Sequence, residues 1–352
     1  MGYNKSEAEF EIEKQLITQL TSGESQWEHH EELRSESALW ENFKRILEEN
    51  NQAALEGIPL TDKEFHQIQN QLNFSSYFEA SKWLAGENGI AKVQVQREDA
   101  KYGKIRLSVF WREEVAGGHS VYQVVNQVER NRANPEDQDR RLDVTLLING
   151  LPLIHIELKN QSHPYMDAFR QIKKYLVEDK LTGIYSCLQM FVVTNNTDTR
   201  YIASASAEKL NEQFLATWVD KKNNPVNHLM DFADCTLSIP AAHKMVSQYT
   251  VIDTDKKALI LLRPYQIHAI EAVKEASKKR QSGYIWHTTG SGKTLTSYKV
   301  ARNLLSIPRI EKTIFIIDRV DLDQQTSSAF RSYAANDVID VDNTEDVTRL
   351  VA

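Results

Sequence analysis

Residues Arg141 to Lys159 read RLDVTLLINGLPLIHIELK, two strand-like runs joined by Asn149-Gly150. In the first run Leu142, Val144, Leu146 and Ile148 hold the even positions while Asp143 and Thr145 hold odd ones. In the second, Ile154, Ile156 and Leu158 are even, and His155, Glu157 and Lys159 are odd. Side chains alternate across a strand, so Glu157 and Lys159 point together. Asp143 joins them only if the strands pair residues of equal parity. A two-residue turn at Asn149-Gly150, the commonest form for that dipeptide, would pair Ile148 with Leu151 and put Asp143 on the opposite face. An odd-length loop or a bulge is therefore expected. A three-residue loop, Ile148-Asn149-Gly150, would set Asp143 opposite His155 and diagonal to Glu157 at about 7–8 Å. Two carboxylates holding Mg²⁺ beside a lysine supply what phosphodiester hydrolysis needs, charge neutralisation and an activated water. The same spacing also occurs where the acids and lysine of an edge strand simply face water.

Outward from this hairpin, a helix over about 167–178 places Gln171 and Tyr175 four apart on one face, and a strand-like run covers 188–194. Upstream, Ser6-Glu7-Ala8-Glu9 is a capping-box pattern opening a helix with Ile12, Leu16 and Leu20 at helical spacing. Helical stretches over 38–50 and 62–72, the second capped by Thr61-Asp62, read as an inserted helical layer spanning about 24–90. Alternating segments at 92–96, 105–111 and 121–128 read as strands, followed by a polar loop, RANPEDQD, at 132–139. Signals weaken over 204–254, where Lys221-Lys222-Asn223-Asn224-Pro225 is the most linker-like stretch. Beyond it, a helix at 263–279, a short strand at 284–286, a helix at 294–305 and a strand at 313–317 have βαβ texture. The fold class is α/β. The expected division is residues 1–220, a connecting region 221–257, and a second domain 258–352.

The composition of the 352 residues, 41% hydrophobic and 26% charged with only 13 Gly and 8 Pro, excludes a disordered or collagen-like chain. No apolar run approaches the roughly 18 residues needed to span a bilayer, so no membrane role is expected. The acidic N-terminal helix is unlike a secretory signal. Cys187 and Cys235 stand alone, without CxxC spacing, so neither a disulfide framework nor a zinc site is expected and a reducing cytoplasm fits. A net charge of -7 argues against a general basic coat for nucleic acid, though a local basic groove is compatible with it.

Thr289-Gly290-Ser291-Gly292-Lys293-Thr294 opens the helix at 294–305. Glycines let backbone N–H groups turn toward phosphate oxygens at a helix N-terminus. The lysine reaches the β and γ phosphates, and the threonine hydroxyl ligates Mg²⁺. ATP is the implied nucleotide. His287 occupies the first glycine position of the general phosphate-loop pattern.

These motifs carry a resemblance. Val125-Asn126-Gln127, Arg140 to Asp143, Asn149 to Leu153, Ile156 to Asn160 and Gln171 to Tyr175 closely resemble the nuclease domain of type I restriction enzyme R subunits, of the PD-(D/E)xK superfamily. The resemblance implies a mixed central sheet flanked by helices, with Asp143 and Glu157 as metal-binding carboxylates. It also implies that Lys159 positions or activates the attacking water and that Gln171 and Tyr175 form a QxxxY motif. Leu142 stands where the motif's proline is usual, which touches the backbone and not the metal. Superfamily members often add a glutamate from the N-terminal helix. The resemblance makes Glu9 and Glu11 the candidates ahead of Glu7, and since capping accounts for Glu7 and Glu9 without a catalytic role, Glu11 is the one expected. Thr289 to Thr294 resembles motif I of superfamily 2 helicases, and Arg263-Pro264-Tyr265-Gln266 their Q motif, whose glutamine reads adenine. Ile316-Ile317-Asp318-Arg319 resembles motif Ia, in a shorter and weaker match.

Nuclease first and motor second is the order of a type I R subunit. The resemblance therefore implies Mg²⁺-dependent cleavage of double-stranded DNA, coupled in the full-length protein to ATP-driven translocation, with methyltransferase (M) and specificity (S) subunits as partners. A standalone repair nuclease-helicase and a catalytically silent DNA-binding remnant are the alternatives. No motif II follows the phosphate loop before Ala352, so the second domain reads as an incomplete RecA-like fold and this chain is expected to be inactive as an ATPase.

Overall fold

The computed structural model describes residues 6–23, 26–131, 139–305, 307, 309–316 and 320–333. The polar loop expected at 132–139 lies, but for Asp139, outside them. The chain divides into one unit of Met1–Thr250 with Leu259–Pro264 and a second of Val251–Ala258 with Tyr265–Ala352.

The first unit is built on a six-stranded mixed sheet in the order β1-β4-β5-β6-β7-β8. The strands are β1 (Glu28–His29), β4 (Tyr122–Arg130), β5 (Arg140–Ile148), β6 (Leu151–Leu158), β7 (Met190–Thr194) and β8 (Thr199–Ala203). Between β1 and β4 the chain makes helices α2 (Glu36–Asn50), α3 (Asp62–Leu72) and α4 (Tyr77–Ala85), then a separate hairpin of β2 (Ile90–Gln96) and β3 (Lys104–Trp111). Three capped helices thus occupy the expected inserted layer, and Ser35, Thr61 and Ser76 each accept the backbone N–H three residues on. Helix α1 (Glu7–Leu20) packs on β6, and α5 (Tyr165–Val177) covers β6 and β7, which run parallel as a strand–helix–strand crossover requires. With helices over the centre, β6 is buried along its whole length. Leu142, Val144, Leu146, Ile154, Ile156 and Leu158 are fully buried, each contributing roughly 1.5–3 kcal/mol.

The β5–β6 turn has two residues, with Asn149 at φ +54 and Gly150 at φ +76, and Ile148 pairs with Leu151. The expected three-residue loop is therefore corrected: the dipeptide's left-handed preference decides the turn. Asn149 also ties it down, donating from its side chain to Val109 O at 2.8 Å and accepting from Val121 N at 2.7 Å. Parity is restored one step later by the other expected device, a bulge. Leu147 pairs with Pro152 but Leu146 with Ile154, which leaves Leu153 over. Pro152 has no N–H for a ladder, and the irregularity falls beside it. From there Thr145 faces His155 and Val144 faces Ile156, so the next pair in register is Asp143 with Glu157, opposite each other instead of diagonal.

The segment expected to connect two domains is also corrected. Within 221–257, helices α6 (Leu229–Thr236) and α7 (Ile239–Ser247) fold into the first unit, burying Leu229, Phe232, Ala242 and Met245. Trp27 donates its indole N–H to Leu237 O at 2.8 Å. Helices this short carry little periodicity, and their stability comes from packing.

In the second unit, helices α8 (Pro264–Lys278), α9 (Lys293–Leu304) and α10 (Val320–Tyr333) form, but the strands expected at 284–286 and 313–317 do not among the described residues. Tyr284, Trp286, Ile314 and Ile316 are exposed. A strand exists only through a hydrogen-bonded neighbour, and none is present there among the described residues.

Candidate active site

Three elements meet at one end of the β5–β6 hairpin. Asp143, Glu157 and Tyr175 are almost completely buried, and Lys159 nearly so. Glu157 is the hub. Its Oε1 accepts from Tyr175 OH at 3.2 Å and from Lys159 Nζ at 3.4 Å, and its Oε2 lies 3.2 Å from His155 Nε2. Asp143 Oδ2 accepts the main-chain N–H of Leu158 at 2.8 Å, just past the last β5–β6 pair, so a side chain replaces a ladder bond at that point. Lys159 Nζ also donates to Leu158 O at 3.2 Å.

His155 belongs to no motif in the sequence, yet the structure sets it against Glu157. An ionised Glu157 can only accept, and in that state His155 Nε2 carries the proton and Nδ1 accepts from Thr145 Oγ1 at 3.3 Å. Thr145 in turn lies 3.4 Å from Tyr185 OH. This buried chain fixes the rotamer of Glu157 from the side away from Lys159. Its signal in the sequence was the shared parity of Thr145, His155 and Glu157. Burial first, and the charge of Asp143 second, push the Glu157 carboxyl above the usual carboxylate range, against the hydrogen bond from His155 and the charge of Lys159. A cation beside this pair would offset both causes and favour the ionised form of Glu157.

Gln171, one turn before Tyr175, has a buried amide nitrogen with no hydrogen-bond partner among the described residues. Glu11 is not brought in. It is exposed and accepts from Gln15 at 3.4 Å. The buried acids of α1 are Glu9 and Glu13. Glu9 closes the capping box and also accepts the N–H of Asn160, next to Lys159, at 3.2 Å. Among the described residues no group of three or more His, Cys, Asp or Glu side chains is set to hold a metal. The oxygen-only pair Asp143 and Glu157 suits Mg²⁺, which usually binds through one or two carboxylates and keeps its remaining positions for water and phosphate.

In the second unit Gly290 (φ +78) and Gly292 (φ +77) take left-handed backbone, and Gly292 precedes the first turn of α9. Lys293 Nζ donates to Thr288 O at 3.3 Å, and Ser291 O accepts from Tyr265 OH at 2.9 Å and Gln266 Nε2 at 3.4 Å. The structure thus brings Gln266 to the loop. A Cβ on Gly292 would stand 2.8 Å from that amide. Thr289, Gly290 and Lys293 are exposed, while Ser291 and Thr294 are half-buried. Arg263 is exposed and falls in the first unit. Of the motif Ia residues, Ile317, Asp318 and Arg319 lie outside the described residues.

Residues 6–210 match the family model described as type I restriction enzyme R protein N terminus. The chain belongs to the type I restriction enzyme R protein family. Residues 265–352 match the SWI2/SNF2 ATPase model, in keeping with a helicase-like start around the phosphate loop. The type I restriction enzyme SauCOLORF180P endonuclease subunit of Staphylococcus aureus is 36% identical over 345 residues, covering 97% of this chain and 35% of the relative. The SsaAORF53P endonuclease subunit of Staphylococcus saprophyticus is 35% identical over 348 residues with the same coverage. The EcoprrI endonuclease subunit of Escherichia coli is 34% identical over 154 residues, 43% of this chain and 48% of the relative. This R-family chain spans about a third of the length of its staphylococcal relatives. No helix among its described residues is long and apolar enough to cross a membrane.

Proposed function

We propose that the chain acts as the restriction subunit of a type I restriction-modification system, cleaving double-stranded DNA in the cytoplasm beside M and S subunits. One observation carries this reading: Asp143, Glu157, Lys159 and Tyr175 converge from β5, β6 and α5 into one buried cluster. Asp143 and Glu157 would hold Mg²⁺, which when bound supplies charge neutralisation at the scissile phosphate. Lys159, held beside Glu157, positions the attacking water and adds positive charge where charge develops on the phosphate. Tyr175 and His155 fix Glu157 from two sides, and Gln171 lends an amide donor on the same helix face.

In the second unit an ATP site is supported by Lys293 and the loop N–H groups, which would take the phosphates, by Thr294, which would bind the Mg²⁺ that accompanies them, and by Gln266, which would serve the base. Coupling to translocation in the full-length protein follows from joining such a motor to the nuclease. The polypeptide 1–352 alone should turn over no ATP, because hydrolysis also needs a carboxylate and an arginine that the resemblance places beyond motif I. Turnover that disappears in Lys293→Ala would contradict this. The function itself is tested by Mg²⁺-dependent cleavage of plasmid DNA by the intact R protein with and without M and S subunits. Absence of cleavage with both present would overturn it.

A further inference from the structure

The strand on the other side of Asp143 is irregular at one residue. β4 pairs with β5 from Tyr122 opposite Ile148 to Arg130 opposite Arg140, and the run is broken at Gln127. Gln127 falls between Asn126 opposite Val144 and Val128 opposite Leu142, so its partner in register is Asp143. Its φ is +54, a left-handed conformation that a residue other than glycine keeps in a strand only when its surroundings hold it there.

Glu13 of α1 is what holds it. This carboxylate, 2% exposed, accepts from Asn126 Nδ2 on one oxygen and from Gln127 Nε2 on the other, each at 2.7 Å. Consecutive residues of a regular strand point to opposite faces, so two neighbours reach one carboxylate only if one has turned over. Asn126 keeps the parity of Val144, and the left-handed residue is the one that turned. In an unbroken ladder the Gln127 side chain would stand on the face of Asp143, with Cβ atoms about 5 Å apart.

We propose that Glu13 and Gln127 are positioning residues for Asp143: Glu13 holds Gln127 turned over, which withdraws its side chain from the face of Asp143 and keeps its amide from contending with the cation for that carboxylate. This rests on the reading of Asp143 as a metal-binding carboxylate. It also gives a use to a buried acid that the nuclease chemistry leaves unassigned and that lies two residues from the glutamate expected from sequence.

The test measures cleavage across a Mg²⁺ titration together with DNA-stimulated ATP hydrolysis in the intact R protein with its partner subunits. Glu13→Ala should slow cleavage by about 10–100-fold and raise the Mg²⁺ needed for half-maximal cleavage, with ATP hydrolysis unchanged. Adding Gln127→Gly to that variant should restore cleavage to within about threefold of wild type, because glycine takes either sign of φ and has no side chain to swing back. Wild-type cleavage by Glu13→Ala would overturn the proposal, and so would a double variant as slow as the single one. Should Glu13→Ala fail to fold, Gln127→Ile and Gln127→Gly decide the matter. Isoleucine resists the left-handed region, so it should cleave at least about tenfold more slowly than glycine, and equal rates would overturn the proposal. Asp143→Ala separates the two levels. Cleavage surviving in Asp143→Ala removes the active-site reading itself, whereas its loss beside an unaffected Glu13→Ala removes only the positioning role.

Discussion

Asp143, Glu157, His155 and Tyr175 are at most 1% exposed, whereas Gly290, Gly292 and Lys293 lie in the open. Both groups are proposed to handle phosphate together with a divalent cation, yet they are assembled in opposite ways. In the first unit side chains from two strands and a helix are locked before any ligand arrives, each carboxylate already holding an oxygen in a hydrogen bond. In the second, the working groups are backbone N–H donors of a glycine loop, and the lysine rests on the carbonyl of Thr288. A hydrolytic site must pay in advance to orient a water and a metal in a dry place. A nucleotide-binding loop lets the nucleotide complete it.

The largest expected effect separates the two regions outright. In the intact R protein, Asp143→Ala, Glu157→Ala or Lys159→Ala should reduce cleavage by at least roughly 10²–10³-fold while leaving DNA-stimulated ATP hydrolysis untouched. Lys293→Ala should stop ATP hydrolysis and, with translocation lost, cleavage too. Cleavage that survives in any of the first three would take that residue out of the site.

A smaller effect tests how far the buried site depends on its supports. Tyr175→Phe removes one donor to Glu157 and keeps the ring, so cleavage should fall by about 10–100-fold with unchanged ATP hydrolysis. A change under threefold would make the tyrosine a packing residue.

pH offers a third comparison. His243 is buried in α7 between Tyr122 OH, at 2.9 Å from Nδ1, and Arg112 O, at 3.2 Å from Nε2. The carbonyl can only accept, so Nε2 carries the proton, and burial pushes the imidazole down to about 4 from 6.5. A base whose folded pKa is depressed stays neutral in the native state while the unfolded chain takes up a proton. Stability is therefore intact above about pH 6.5 and is lost as pH falls toward 4, by roughly 2–3 kcal/mol. Urea unfolding of the first unit at pH 7 and at pH 4.5 should show this, and His243→Gln should flatten it. An equal fall in that variant would assign the loss to other groups.

The smallest effect concerns stability and should be visible in one region and nearly absent in the other. Asp143→Asn removes one of two like charges buried together, so the first unit should melt roughly 2–4 °C higher even as cleavage is lost. Ser291→Ala, in the exposed loop, should change stability by less than about 0.5 kcal/mol. A lower melting temperature for Asp143→Asn would mean that its bond to Leu158 N outweighs the repulsion.

Much of the site was legible because its parts are close in sequence. Glu157 and Lys159 share a strand face, Gln171 and Tyr175 a helix face, and the parity of the flanking apolar residues demanded that Asp143 join them. The same parity called for a bulge or an odd loop. That alternative could not be resolved from a distance, since Asn149-Gly150 and Pro152 each make a separate local demand and the ladder has to satisfy both. The linker expected over 221–257 failed for a related reason: α6 and α7 are short, and what makes them helical is burial against residues as remote as Trp27.

The sequence alone therefore determined the order of the two units, the α/β class of the first, the carboxylate–lysine set and the phosphate loop. Each of these depends on spacing of a few residues and on backbone preferences of glycine, asparagine and capping serines. Tertiary structure decided which glutamates of α1 are buried, that His155 braces Glu157, and that Gln127 is turned over beside Asp143. Those outcomes depend on which side chains meet once the strands and helices have packed, across 114 residues in the pair Glu13 and Gln127, and no local preference encodes such a meeting.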